Sequence, residues 1–330
     1  MATQAFRGIR WWGRLLLAVG SAAMAQPAVA QSYPSGMIRI VVGGGAGAPP
    51  DIITRIVANE LGRSEGWRIV VENKPGAIGT LAAGEVLKQP ADGHSILAFT
   101  LGASASPALL SNIAFRHDTD FAPVIKIMTA HHVLVANPSI SARSMAELVA
   151  LLKSQPDKLT YSSGGMGTPA HLAGEQFRLR TGVHVTHVPY RALPQAIGDL
   201  INGTNHYQFI TPLPVLDLIT TGKLRALAVT GPKRMAALSN VPTVVEAGFP
   251  ELVIEDWVGF VVKSGTPDAI IGTLNEAINK ALAKASVREA FAKIAAEPAG
   301  GTPGEFGVHL KSQIAHWSKV VKDAGIKMPE

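Results

Sequence analysis

The chain has 330 residues, no cysteine and a formal net charge of +6. The lack of cysteine excludes disulfide bonds and a lipoprotein anchor, and the length is sufficient for two domains. The charge is mild and no run of lysine or arginine occurs. Because nucleic-acid binding requires a clustered basic face, the composition argues against it, while an anionic small ligand remains compatible with this charge.

The first 30 residues have the composition of a secretory signal peptide. An apolar run, Leu15–Ala25, follows a positive segment that contains Arg7, Arg10 and Arg14. Ala28–Ala30 gives the small-x-small pattern of a cleavage site, and Ala23–Ala25 is a second such site. The apolar run is shorter than the roughly 20 residues needed to span a bilayer, which disfavours a membrane anchor. We therefore predict export to the periplasm with cleavage after Ala30.

The first half of the mature chain predicts strands that alternate with helices, as in a parallel α/β sheet. Ile38–Val42 is a short run of mostly β-branched apolar residues, typical of a buried strand. A glycine-rich loop follows, and Pro50 and Asp51 suit the first turn of a helix that extends to Arg63. The next predicted elements are a strand, a second glycine-containing loop, a helix and a strand, at Trp67–Glu72, Asn73–Thr80, Thr80–Lys88 and Ser95–Phe99.

The second half contains another junction of strand, glycine loop and helix. Phe121–Ala136 is predicted to be extended, Leu159–Tyr161 is a strand that leads into Ser162–Thr168, and Ala170–Arg180 is a helix closed by Gly182. The other predicted strands are Val183–Val188, Tyr207–Ile210, Leu224–Val229 and Val258–Val262. The other predicted helices are Ser144–Lys153, Gln195–Ile201, Val215–Thr221, Asp268–Ala285, Val287–Ala295 and Pro303–Ala324.

Two glycine-rich loops, Gly43–Ala48 and Ser163–Thr168, connect the end of a predicted strand to the start of a helix. Open α/β sheets bind ligands at this edge, and free N–H groups at a helix N-terminus favour an anion. Two such units that face each other form a cleft, a usual place for a small-molecule site. We therefore expect the loops to hold an anion, and we favour a carboxylate over a nucleotide phosphate.

The competing interpretation is a dinucleotide-dependent enzyme that uses Gly43–Ala48. Gly43-x-Gly45-x-x-Ala48 fits the loose Gly-x-Gly-x-x-Gly/Ala pattern, and Glu72 ends the next strand where a ribose-binding acid would lie. Pro49 and Pro50 remove two N–H donors from the turn that a pyrophosphate would use. Export also takes the chain away from free dinucleotide. We expect no cofactor.

Metal or hydrolytic chemistry has little support in the sequence. His184 and His187 have an odd spacing in a predicted strand, which places their rings on opposite faces. Ser162–Gly165 resembles part of a nucleophile elbow, but the Gly-x-Ser-x-Gly pattern is absent. We expect no metal site and no catalytic residues. His171, in the first turn after Pro169, either contacts the ligand or packs over the start of the helix.

A series of motifs along the mature chain resembles the Bug family of tripartite tricarboxylate transporter receptors. The motifs are Val71–Gly79 (VENKPGAIG), Ala91–Leu97 (ADGHSIL), Tyr161–Leu172 (YSSGGMGTPAHL), Val188–Arg191 (VPYR), Gly222–Thr230 (GKLRALAVT), Val241–Gly248 (VPTVVEAG) and Gly265–Pro267 (GTP). The resemblance implies a type II periplasmic binding protein fold, with two α/β domains that close over a ligand in the cleft between them.

The family resemblance also implies an organisation and a function. The first α/β domain would comprise residues 33–128 and 264–330, and the second residues 129–263. The protein would bind a carboxylate, an amino acid or an aromatic acid and pass it to a two-component membrane permease, without catalytic residues. We expect a monomer that binds no nucleic acid. An exported sensor that uses the same cleft remains an alternative.

The site residues implied by the resemblance come from several strand ends. The first loop would contribute Gly45, Gly47, Ala48 and Pro49 near one carboxylate. The second loop would contribute Ser163, Gly164, Gly165, Gly167 and Thr168, with His171 behind or beside the ligand. Ala77, Thr100 and Thr211 would face the same cleft from other strand ends.

The first loop is also where this chain departs from the family pattern. Relatives usually read Pro-Phe-x-Pro-Gly-Gly-x-Thr-Asp, whereas this chain has Gly44 at the aromatic position and Pro50 at the threonine position. An Asp that often follows the strand near Phe209 is replaced by Ile210 and Thr211. We therefore expect a roomier and less polar pocket, and a ligand bulkier than a C4 dicarboxylate, such as an aromatic acid.

Overall fold

The computed structural model describes residues 33–328, so the predicted signal peptide lies outside the described residues. The strands are β1 (Ile38–Val42), β2 (Ile69–Asn73), β3 (Ser95–Thr100), β4 (Phe121–His131), β5 (Val133–Ala136), β6 (Thr160–Ser163), β7 (Thr186–Pro189), β8 (Tyr207–Ile210), β9 (Arg225–Val229), β10 (Glu255–Lys263) and β11 (Ala296–Gly300). The α-helices are α1 (Pro49–Ser64), α2 (Thr80–Leu87), α3 (Leu101–Leu109), α4 (Met145–Ser154), α5 (Pro169–Thr181), α6 (Leu193–Ile201), α7 (Leu216–Thr220), α8 (Asp268–Leu282), α9 (Ala285–Ala292) and α10 (Pro303–Ala324). Within this range no helix has the length and apolar character that crossing a membrane requires.

The strands form two sheets. The first has the order β11-β4-β10-β3-β1-β2, and the second has the order β7-β6-β8-β5-β9. β1 pairs in parallel with β2 and β3, and β6 pairs in parallel with β7 and β8. β10 is antiparallel to β3 and β4, and β5 is antiparallel to β8 and β9. The parallel pairing predicted from the alternation of strands and helices up to Phe99 is confirmed for β1, β2 and β3. Both sheets are nevertheless mixed, because each also contains antiparallel strands.

The chain crosses between the two sheets twice. β4 belongs to the first sheet, and β5 begins in the second sheet after the single residue His132. The chain returns between β9 and β10, and β10 lies inside the first sheet between β3 and β4. The expected second domain, residues 129–263, included β10, which the structure pairs with strands of the first sheet. The division into domains at these boundaries stays a prediction.

Local sequence explains most of the helix boundaries. Two prolines occupy the first turn of α1, where their missing N–H groups cost nothing, and Ile53, Val57 and Leu61 are buried along one face. The side chain of Ser144 caps α4 by accepting a hydrogen bond from the backbone N–H of Glu147. The predictions missed two elements, α3 and β11.

One apolar core contains buried side chains from both sheets and from α10. Leu97 and Phe99 of the first sheet, Tyr161 of the second, and Phe306 and Trp317 of α10 belong to it. Each fully buried side chain of this size contributes about 1.5–3 kcal/mol to folding. α10 packs against both α3, which follows β3 of the first sheet, and α5, which follows β6 of the second sheet.

Candidate functional site

A cavity of about 400 Å³ lies between the two sheets, at the ends of their strands. Its walls are mostly apolar and include Leu97, Phe99, Phe209 and Val258. Seven polar or ionisable side chains also line it, and these are Thr100, His117, His132, Thr168, Gln208, Thr211 and Asp256. Within the described residues, no lysine or arginine lines the cavity. An anion held here would therefore rely on backbone amides and neutral donors.

The first glycine loop borders the cavity, but several of its backbone groups bond within the loop. The N–H of Gly47 donates to Oδ2 of Asp51 at 2.9 Å, and the N–H of Ala48 donates to the carbonyl oxygen of Gly45 at 3.1 Å. Arg55 and Asn73 each donate to Oδ1 of Asp51 at 2.9 Å. Burial opposes ionisation of the Asp51 carboxyl, but these hydrogen bonds outweigh it and lower the pKa of Asp51. Asp51 thus organises the loop.

The second glycine loop is held from behind by two histidines, of which His171 is buried and His187 is half-buried. The N–H of Gly167 donates to Nδ1 of His171 at 3.0 Å, and the ring of His171 stacks on His187 with centroids 4.3 Å apart. Oγ of Ser163 lies 2.7 Å from Nε2 of His187 and accepts a hydrogen bond from the N–H of Gly165. Burial lowers the pKa of His171 and lowers that of His187 to about 3, so both rings are neutral near pH 7.

Three helices begin at the cavity, and two of them supply free N–H groups. Pro49 and Pro50 of α1 line the cavity but have no N–H to donate. By contrast, the backbone N–H groups of Gly102 in α3, and of Met166 and Ala170 at α5, have no hydrogen-bond partner within residues 33–328. These three residues line the cavity. Free donors and the positive ends of two helix dipoles favour an anion at this place.

The predicted site residues divide into two groups. Six of them line the cavity, and these are Pro49, Thr100, Gly164, Gly167, Thr168 and Thr211. The other seven do not line it, and these are Gly45, Gly47, Ala48, Ala77, Ser163, Gly165 and His171. Ser163 and His171 are buried behind the second loop, where they bond to loop atoms. The contacts that each residue makes with a ligand stay a prediction.

The sequence predictions did not include four ionisable or amide side chains that line the cavity: His117, His132, Gln208 and Asp256. Burial lowers the pKa values of His117 and His132 to about 4 and raises the pKa of Asp256 to about 7. A polar residue inside an otherwise apolar strand could have indicated one of these residues, namely Gln208 in Tyr207–Ile210. Asp256 was not predicted because the strand that contains it, β10, was expected to begin only at Val258.

The described residues contain no group of three or more His, Asp or Glu side chains placed to hold a metal ion. The Ser163–His187 pair has the spacing of a nucleophile and base, but Ser163 is fully buried and does not line the cavity. The geometry therefore favours binding through backbone donors around a mostly apolar cavity.

Two mixed α/β sheets, joined by crossing strands and enclosing a cavity at their strand ends, define a ligand-binding protein of the periplasmic type. Residues 53–326 match the family described as the tripartite tricarboxylate transporter family receptor, TctC. The chain belongs to this family, which contains the Bug proteins, and the predicted family is confirmed. Members of this family are periplasmic binding proteins.

Similar proteins extend over most of the chain. Protein BugT of Bordetella pertussis is 33% identical over 96% of this chain and 98% of its own length. The structure of Rpa4515 from R. palustris with adipate has a TM-score of 0.79 and 33% identity, and it covers 90% of this chain and 100% of that one. MatC from Rhodopseudomonas palustris with bound malate has a TM-score of 0.76 and 28% identity, over 88% of this chain and 100% of that one. These similarities confirm the predicted periplasmic binding protein fold.

Proposed function

We propose that this protein is an exported receptor that binds a small carboxylic acid in the cavity and delivers it to a two-component membrane permease. The observation that carries the proposal is the set of free N–H groups at Gly102, Met166 and Ala170, in a cavity that no described lysine or arginine lines. Backbone amides at helix N-termini hold a carboxylate without a counter-ion. The adipate and malate named with two relatives support a carboxylate ligand.

The proposal includes the residues that contact the ligand. The carboxylate accepts hydrogen bonds from the free amides of α3 and α5, and the hydroxyls of Thr100, Thr168 and Thr211 provide further polar contacts. Pro49 closes the same space with its apolar ring. The protein has no catalytic role in this proposal, and residues 1–30 direct export and are removed after Ala30.

The proposed ligand is bulkier than a C4 dicarboxylate. The cavity volume of about 400 Å³ and its apolar walls at Leu97, Phe99 and Phe209 support this part of the proposal. An acid with an aromatic ring or a longer chain would bury more apolar surface against these walls than succinate or malate would.

Thermal unfolding of the purified mature chain with a panel of carboxylic acids tests this function. An acid present at 100 times its dissociation constant should add about 2.7 kcal/mol to the free energy of unfolding. Aromatic and C6 acids should raise the melting temperature more than succinate does at equal concentration. If no acid raises the melting temperature while NAD does, the dinucleotide interpretation is supported instead. Preference for succinate would remove the bulky-ligand part alone.

Loss of acid uptake in a deletion strain tests the transport role. A receptor for a permease should be required for uptake of the acid that it binds. Normal uptake, combined with loss of a transcriptional response to the same acid, would instead support the sensor alternative.

A further inference from the structure

The cavity contains a second group of polar side chains, which come from strands near the two crossings rather than from helix N-termini. Asp256 lies in β10 opposite Ala130, and His132 is the residue between β4 and β5. Gln208 lies in β8 opposite Val135. Asp256, His132 and Gln208 all line the cavity, and we call them the crossing cluster.

Two members of the crossing cluster carry buried polar atoms that lack a partner within residues 33–328. These atoms are Nε2 of Gln208 and Nδ1 of His132. The two residues are 0% and 3% exposed. Oε1 of Gln208 accepts a hydrogen bond from Oγ of Ser162 at 3.3 Å, which leaves Nε2 as a free donor. A buried donor without a partner costs about 1–3 kcal/mol, so a ligand that supplies the acceptor recovers this energy.

The charges around the cavity disfavour a second carboxylate on the ligand. Within the described chain, no lysine or arginine lines the cavity, and burial keeps His117 and His132 neutral near pH 7 because it lowers their pKa values to about 4. Burial also raises the pKa of Asp256 to about 7, which reflects how poorly this site stabilises a negative charge. The neighbouring Glu255 is paired with Lys126 at 2.8 Å, so that lysine is already engaged.

We propose that the crossing cluster selects an acid whose second polar group is an uncharged carboxamide or hydroxyl, in place of a second carboxylate. This inference rests on the proposed carboxylate-binding function. A carboxamide carries both a donor for the carboxyl of Asp256 and an acceptor for Nε2 of Gln208. A carboxylate offers only acceptors, so it has no donor for the carboxyl of Asp256, and its negative charge is repelled by that of ionised Asp256. Sites built from buried polar groups reject ligands that leave those groups unpaired.

Paired ligands of nearly identical shape test this inference. Adipate and its monoamide form one pair, and terephthalate and 4-carbamoylbenzoate form the other. Calorimetric titration of the mature protein at pH 8 should show that at least one monoamide binds about tenfold or more tightly than its dicarboxylate, the effect expected for one unpaired buried group. Equal binding, or preference for both dicarboxylates, would overturn the inference.

Two substitutions assign the preference to the crossing cluster. Asp256→Asn should improve dicarboxylate binding, so that the dissociation constants of the dicarboxylate and its monoamide differ by only about twofold. Gln208→Glu, which keeps the acceptor for Ser162 and loses the donor, should weaken monoamide binding about tenfold. Asp217→Asn is the matched control, because Asp217 is exposed and does not line the cavity. Circular dichroism and the melting temperature establish that each variant folds.

The possible failures are distinct. If no carboxylic acid of any kind binds, the proposed function is wrong. If carboxylic acids bind but neither monoamide does, or if Asp256→Asn leaves the ratio unchanged, the proposed function stands and the role of the crossing cluster is wrong.

Discussion

The two glycine loops of this protein have similar sequences and different internal bonding. Gly43–Pro50 is organised around the buried carboxylate of Asp51, and its turn ends in two prolines that offer no N–H. Ser163–Thr168 is organised around two neutral histidines, the buried His171 and the half-buried His187, and the N–H groups of Met166 in the loop and of Ala170 at the start of α5 are free. The difference teaches that the residues in the first turn of the following helix, two prolines in α1 and Pro169 followed by Ala170 in α5, decide whether that helix start offers N–H donors.

The largest expected effect comes from removing the anchor of the first loop. Asp51→Ala breaks hydrogen bonds from Gly47, Arg55 and Asn73 and should lower the free energy of unfolding by about 3 kcal/mol. Because the pKa of Asp51 is lowered in the folded protein, its contribution is present above the ordinary value of 3.8 and is lost as the pH falls through the folded pKa. Urea unfolding at pH 7 and below pH 4 measures both effects. A loss below 1 kcal/mol would contradict this role of Asp51.

Closing the space between the loops should mainly affect ligand binding. Gly167 has a φ of +74°, and a methyl group there would lie 2.7 Å from Cδ1 of Ile78, which also lines the cavity. Gly167→Ala should therefore raise the dissociation constant for the acid about 30-fold, which corresponds to about 2 kcal/mol. Titration calorimetry measures this change.

Gly182 provides the matched control for Gly167. It has a φ of +67°, and a methyl group added there would meet nothing within 4 Å. Gly182→Ala should cost about 1 kcal/mol of stability through its backbone conformation and leave affinity unchanged. If both alanine variants weaken binding equally, contact with Ile78 is not the cause.

The histidine anchor of the second loop should respond to acid in the physiological range. Because the pKa of His187 is lowered to about 3, the unfolded chain binds more protons below pH 6.5, and stability falls as the pH decreases. His187→Gln keeps a hydrogen-bonding partner for Ser163 and removes the titration. The wild-type protein should therefore lose up to about 2 kcal/mol more than the variant between pH 7 and pH 5. Parallel pH profiles of the two melting temperatures would refute this.

The smallest expected effect comes from adding a backbone N–H donor next to the first loop. Pro50→Ala restores an N–H at the start of α1, beside the cavity, and should tighten acid binding about threefold. Stability should decrease by less than about 1 kcal/mol, because the unfolded chain gains freedom. Weaker binding by this variant would indicate that the proline ring, rather than the missing donor, matters to the ligand.

The elements predicted from sequence are those whose boundaries depend on local chemistry. β1, the first loop and α1 follow from a β-branched run, glycines and two prolines. α3 was missed because Leu101–Leu109 contains a glycine, Pro107 and five small serine or alanine residues, which leave few large apolar side chains to mark a helical face. Packing against α10 supports this helix. β11 was missed because it contains Pro298, which an edge strand such as β11 tolerates.

The candidate site was predictable only in part. Thr100 ends β3, Thr211 follows β8, and Thr168 lies between β6 and α5, so their position at the cavity could be expected from the order of the elements. Asp256 and Gln208 lie inside strands, where alternation alone does not tell which face meets a cavity. Their exposure to the cavity depends on pairing with β4 and β5, strands far away in the sequence.

The sequence by itself determined the family, the alternation of strands and helices, and the two glycine loops at helix starts, because these depend on residue type and short-range geometry. The tertiary structure alone decided that the sheets are mixed and that Asp256, His132 and Gln208 line one cavity. These features arise where the chain crosses between the sheets, and long-range strand pairing sets which side chains are buried together.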